Sequence, residues 1–372
     1  MAPTEDELLA GIHEWVRIES HTADPAGVNR LMDNVEARYR TLGADIERIA
    51  GVDGYGDHLS IRAPWKTQGK YILVLSHLDT VHPKGTIDGD LPVRVEGEKA
   101  FGPGIYDMKG GAFLGYSAVK SLIEEGIETD LGIRILYTAD EEVGSPTSRA
   151  LIEEAAKDAA HVLVTEPARN GGRVVTSRKG VARFVMTAKG QPAHSGSRHA
   201  DGRSAIKEIA HQIIALEDMT DYERGITINV GQVRGGTGTN VVPGDAVAHI
   251  DLRVPSAEAG EEMVAKVLGL TPHDPDVKLT IVGGMNRPPF ERLPGTAALF
   301  DHARELAAQF GLDLKDTFTG GGSDGNFTAT IAPTLDALGV DGDGAHTLHE
   351  HLYVSSLVPR YRLLRRLMET LR

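Results

Sequence analysis

The chain has 372 residues, which suits two domains better than one small core. It is 41% hydrophobic and 25% charged, with 39 basic against 53 acidic residues and a net charge of -14. That balance fits a globular protein and excludes the basic stripe of a nucleic-acid binder. With no cysteines, any metal must be held by oxygen and imidazole.

The opening MAPTEDELLAGIHEWVRIES is acidic and amphipathic. It lacks a basic n-region and an apolar h-region, so no signal peptide is expected. No apolar run approaches the roughly 20 residues that span a bilayer. The cytoplasm is the expected location, with no membrane or nucleic-acid partner.

Short apolar runs then alternate with helical patterns to about residue 170. KYILVLSH (70–77), LGIRILYTAD (131–140) and HVLVTEP (161–167) predict buried strands. MKGGAFLGYSAVKSLIEEG (108–126) and SPTSRALIEEAAKD (145–158) predict helices. This alternation implies an α/β fold, a mixed and largely parallel sheet with helices on both faces. From about 178 the pattern changes. VARFVMTAKG, GITINVGQVRGG and DAVAHIDLRV predict strands, and 203–219 and 256–270 predict helices. We expect residues 178–287 to form an inserted α/β sandwich. Residues 1–177 and 288–372 would form the catalytic domain, closed by helices near 296–311 and at the C-terminal end.

Acids and histidines gather where the predicted strands run out: His77 and Asp79 in SHLDTV, Asp107 in GPGIYDMKGG, Glu141 and Glu142 in TADEEVGS, Glu166 in VTEP, and His346 in GAHTLHE. Strand carboxyl ends are where such sheets collect ligands. The set has the donor count of a two-metal hydrolase with a spare base. Zinc is the commonest ion for nitrogen and oxygen donors, with cobalt and manganese as alternatives.

Each residue also has a plainer reading. His77 and Asp79 share one side of an extended segment, so one can ligate while the other fixes its ring. The same pair also fits an ordinary strand end. Asp107 suits a carboxylate bridging two metals about 3.5–4 Å apart, or an N-cap of the following helix. Glu141 and Glu142 can divide into base and ligand, or open a helix as solvated acids. Glu166 fits a ligand or a strand-to-loop transition. His194 in QPAHSG fits an oxyanion donor or a loop histidine. Asn240, Arg253 and Arg287 are candidates for substrate carboxylate or oxyanion contacts.

These motifs, in this order and across roughly residues 5–370, resemble the metallopeptidase family of bacterial glutamate carboxypeptidase, acetylornithine deacetylase, succinyl-diaminopimelate desuccinylase and the aminoacylases. The likeness is closest to the glutamate carboxypeptidase branch, through SHLDTV, FGPGIYDMKGG, TADEEVGSPTSRALIEEAAKDAAHVLVTEPA, AHSG, TNVVPG, DLR, RPPF and TGGGSD. It implies two divalent metal ions. His77 and Glu166 would hold one and Glu142 and His346 the other, with Asp107 bridging, Asp79 orienting His77 and Glu141 as general base. It implies that the inserted domain is a lid and dimerisation surface. His194 would then reach across a homodimer interface, helped by Asn240, while Arg253 and Arg287 contact the substrate.

Three places depart from that branch. Histidines at 346, 349 and 351 leave His349 open as the last ligand. Phe318 stands where an arginine is usual, and VTSRKG (175–180) carries extra basic residues. The expected activity is amide cleavage beside a carboxylate-bearing amino acid in a small-molecule or peptide substrate. An N-acyl-amino-acid deacylase, a dipeptidase or an aromatic-amine aminohydrolase would use the same site. A metal-dependent binding protein without catalysis is the non-enzyme alternative.

Overall fold

The computed structural model describes residues 2–65 and 68–372. The chain divides into two units. The first comprises Met1–Ser177, Arg292–Thr319 and Ser323–Arg372, and the second Arg178–Glu291 with Gly320–Gly322.

The first unit is built on a six-stranded sheet. Five of its strands are β1 (Asp45–Ile49), β2 (His58–Arg62), β3 (Tyr71–His77), β4 (Gly132–Thr138) and β5 (Ala159–Val164). The order is β1-β2-β4-β3-β5, followed by the short strand Thr334–Leu335. From β4 to Thr334–Leu335 all neighbours are parallel, while β1 and β2 add an antiparallel edge. Strand β3 lies at the centre, and alternate residues feed opposite faces. Ile72 and Val74 pack with Trp15, Leu31 and Leu364 on one side. Leu73 and Leu75 pack with Ile152 and Phe327 on the other. Helices on both faces explain why YILVLSH reads as a continuous apolar run.

Close approach of helix and strand shapes the ligand-bearing edge. Helix α1 spans Gly110–Glu124. A Cβ on Gly111 would lie 1.9 Å from the Thr165 carbonyl oxygen, so only glycine lets the helix start against the segment that carries Glu166.

The second unit has a four-stranded antiparallel sheet. Its strands are β6 (Gly180–Lys189), β7 (Thr227–Gly235), β8 (Asp245–Val254) and β9 (Lys278–Arg287), in the order β7-β8-β6-β9. The β6–β8 register sets Ala182, Phe184, Met186 and Ala188 opposite Leu252, Ile250, Ala248 and Ala246. These residues share one buried face with Ile209 and Met263 of the helices Ala205–Glu217 and Ala257–Leu268. Strand β9 is hard to read from the sequence because Gly283 and Gly284 interrupt its alternation. Gly283 has φ +136°, and a Cβ there would lie 2.1 Å from the Arg183 carbonyl oxygen. Among the described residues no helix is long and apolar enough to cross a membrane.

Candidate metal centre

The sheet of the first unit delivers the acids and histidines to one edge. His77 is the last residue of β3, Glu141 and Glu142 follow the end of β4, and Glu166 follows the end of β5. The other two come from outside the sheet. Asp107 lies in the wide turn Ile105–Lys109, and its bond to Met108 is cis. His346 sits in a loop with φ +64°.

Two clusters share Asp107. His77 Nε2 is 3.3 Å from Asp107 Oδ1 and 3.5 Å from Glu166 Oε1. Single donor atoms from these three residues all lie within 4.8 Å of one another. On the other side, His346 Nε2 is 3.1 Å from Glu142 Oε2 and 3.6 Å from Asp107 Oδ2. Asp107 thus presents one oxygen to each cluster. Among the described residues no side chain caps α1, whose N-cap position is Lys109, so Asp107 is not a helix cap. Nor do Glu141 and Glu142 open a helix as solvated acids. They form a short 3-10 turn, Glu141–Val143, and the Glu142 side chain is 5% exposed.

Asp79 is fully buried. Its carboxylate accepts the Thr22 hydroxyl at 2.7 Å and the backbone N–H groups of Glu141 and Glu142 at 3.2 Å each. It therefore pins the acidic pair as well as the histidine. The nearest partner of His77 Nδ1 is the main-chain carbonyl of Asp79 at 3.0 Å, with carboxylate Oδ1 at 3.5 Å. In the neutral ring that contact places the proton on Nδ1 and leaves the Nε2 lone pair toward Asp107 and Glu166.

The electrostatics follow from crowding charges in a buried place. Burial alone would lower the His77 pKa, but the carboxylates of Asp107, Asp79 and Glu166 hold it well above its ordinary value. Asp107 and Glu142 carry His346 up to about 11. Burial and the neighbouring acids Asp107 and Asp79 push Glu142 up to about 7, against the pull of His346 and His77. Burial would raise Asp107, yet His346 and His77 hold it below the usual carboxylate range. So much buried negative charge is costly without compensation.

The donors fit divalent ions. His77 Nε2 and Glu142 Oε1 are buried with no hydrogen-bond partner among the described residues, and both lie in the clusters. Nitrogen and carboxylate oxygens without thiolate suit zinc, manganese or cobalt. A bound ion would hold these same groups deprotonated.

The remaining candidates fall in different surroundings. His349 is exposed, and its carbonyl accepts from His351 Nδ1 at 2.7 Å. In the second unit, His194 and Asn240 are brought together. His194 pairs with Val241 in a two-stranded ladder, and Ser195 N–H donates to the Asn240 carbonyl at 3.0 Å. Both residues are exposed. His194 Nδ1 accepts from the N–H groups of Gly196 and Ser197 at 3.1 and 3.2 Å, so the neutral ring carries its proton on Nε2. Arg253 already has a carboxylate partner, bonding Asp251 at 2.7 and 3.1 Å. Arg287 is 4% exposed at the end of β9 and packs against Gly322.

Sequence reasoning missed Thr22, His82 and Glu350. Thr22 gives no local signal. Glu350 stands four residues after His346 in HTLHE, a spacing that by itself does not reveal the loop it anchors.

A family model described as peptidase family M20/M25/M40 matches residues 73–370. The chain belongs to this family. It is a hydrolase of the metallopeptidase type. M20 enzymes generally use divalent metals, usually zinc. The chain is 30% identical to carboxypeptidase G2 of Pseudomonas sp. (strain RS-16), covering 96% of this chain and 88% of that protein. It is 28% identical to a succinyl-diaminopimelate desuccinylase of Bordetella petrii, covering 99% and 98%. In fold it is similar to a tripeptidase from Staphylococcus aureus, with a TM-score of 0.81 at 22% identity over 99% of both chains. M20 membership agrees with the mixed α/β sheet and with the resemblance of the motifs.

Proposed function

We propose that this M20 chain is a dinuclear amidohydrolase that cleaves the bond between an acyl or peptidyl group and an amino acid with a free carboxylate. The observation that carries the proposal is Asp107, whose two oxygens face two separate histidine–carboxylate clusters. His77 and Glu166 would hold one ion and Glu142 and His346 the other, with Asp107 between them. Zinc is the proposed ion. When bound, the ions would polarise the scissile carbonyl and acidify a water. Glu141 takes the proton from that water and passes it to the leaving amine. Asp79 keeps Glu141 in place through its backbone N–H. His194 donates from Nε2 to the oxyanion, and Asn240 assists it. Arg287 and Arg253 are the proposed contacts to the substrate carboxylate, with Arg253 turning from Asp251 to do so.

A mass-spectrometric screen of the zinc-loaded chain tests the activity. Its panel is N-acyl amino acids, aryl-acyl glutamates and dipeptides. Release of a free amino acid by the parent is expected, and silence across the panel with two ions bound would sink the assignment. Phe318, 50% exposed where the carboxypeptidase branch carries arginine, favours a second reading on the same site. In it the substrate is an N-acyl amino acid or a dipeptide, and activity confined to aryl-acyl glutamates would reject it.

The resemblance also supports a homodimer in which the inserted domain supplies His194 to the partner's site. Mixing inactive His194→Ala and Glu141→Ala chains is expected to restore about a quarter of parental activity by random pairing. No restoration under subunit exchange would reject a shared site.

A further inference from the structure

Glu350 is 1% exposed and four residues from His346. Antiparallel pairing of His351 with Phe101 sets it against the loop that leads to Asp107. Its Oε1 accepts the backbone N–H groups of Tyr106 and Asp107 at 2.9 Å each. Its Oε2 accepts the N–H of Gly104 at 3.0 Å and lies 2.5 Å from His82 Nε2. Three amides of one short loop and one imidazole thus converge on a single buried carboxylate. Bonds of this kind are charge-assisted and strong, and successive backbone N–H groups form a concave anion seat.

We infer that Glu350 is a positioning residue that sets Asp107 between its two clusters, an inference that rests on the metal reading above. The amide of Asp107 itself is held, so the placement of both Asp107 oxygens depends on Glu350. One displacement of that loop acts on both clusters at once. Glutamine cannot replace the carboxylate, because either rotamer turns an NH₂ group toward backbone donors. His82, a short way along the chain from His77 and Asp79, closes the fourth side and ties the end of β3 to the same anchor.

Zinc titration of the metal-stripped chain by calorimetry tests this. Glu208→Gln is the matched control. Glu208 is also 1% exposed and accepts the N–H groups of His273 and Asp274 at 2.9 and 3.0 Å, but it lies in the second unit. Glu350→Gln is expected to bind both ions about 10–100-fold more weakly than the parent, the usual cost of removing a partner that orients a ligand. Glu208→Gln is expected to lower the melting temperature without changing zinc affinity. Parent-like affinity in Glu350→Gln overturns the inference, and so does equal weakening in Glu208→Gln. If Glu350→Gln does not fold, Glu350→Asp keeps the charge but withdraws it by one methylene, with the same loss expected and the same overturning result. A parent chain that binds no zinc fails the metal reading itself, which separates the two.

Discussion

Replacing Glu141 with glutamine is expected to lower kcat by about 10²–10⁴-fold, the range for removing a positioned general base. Zinc stoichiometry and KM are expected to stay near parental values. The close carboxylate contact of His346 is with Glu142, while Glu141 acts on His77 through its charge. Glutamine also keeps the size of the side chain. The backbone N–H that Asp79 holds at 3.2 Å is untouched, so the turn keeps its shape. Only the proton acceptor is lost. Turnover within tenfold of the parent would remove Glu141 from the mechanism. Loss of zinc would make it a ligand instead.

The second large effect concerns Asp107. Asp107→Ala is expected to weaken both ions by at least about 100-fold, since even partners outside the coordination sphere commonly cost 10–100-fold. Activity at micromolar zinc is expected to fall with them. The reason is geometric: Oδ1 faces His77 at 3.3 Å and Oδ2 faces His346 at 3.6 Å. Glu166→Ala provides the contrast, because among the described residues the histidine that Glu166 approaches is His77. It is expected to weaken one ion and spare the other. Elemental analysis after dialysis reads both outcomes. Two ions retained in Asp107→Ala would rule out a shared carboxylate.

Much of this site was legible in the sequence, because its residues end strands whose apolar runs are unmistakable. His77, Glu141, Glu142 and Glu166 all follow such runs, and parallel sheets present these ends together. Asp107 and His346 were legible only as members of motifs. Neither ends a strand of the main sheet, and local pattern does not say that residues 239 positions apart lie side by side. The choice between His346 and His349 needed coordinates, since both are loop histidines and only the left-handed turn at 346 brings one ring to Glu142. The double duty of Asp79 was hidden for another reason. Its carboxylate bonds backbone amides, which every residue type carries, so no side-chain pattern announces it. Strands β1 and β2 escaped because an antiparallel edge needs less apolar sequence, as DIERI illustrates.

The split of the first unit around the second has a consequence for how the enzyme is made. On the ribosome, Asp79, Asp107, Glu141, Glu142 and Glu166 emerge early, as an acidic cluster with a single histidine ligand. His346 and the anchor of the Asp107 loop emerge only after the whole inserted unit. At roughly 5–20 residues per second, the stretch from Glu166 to Glu350 takes roughly 10–40 s to synthesise. During that interval the nascent chain already holds His77, Asp107 and Glu166, but the Glu142 side lacks His346 and the Asp107 loop lacks its anchor. Completion of the Glu142 side therefore waits for the return of the chain, and a ribosome stalled inside the inserted unit is expected to present the donors of the His77 side alone.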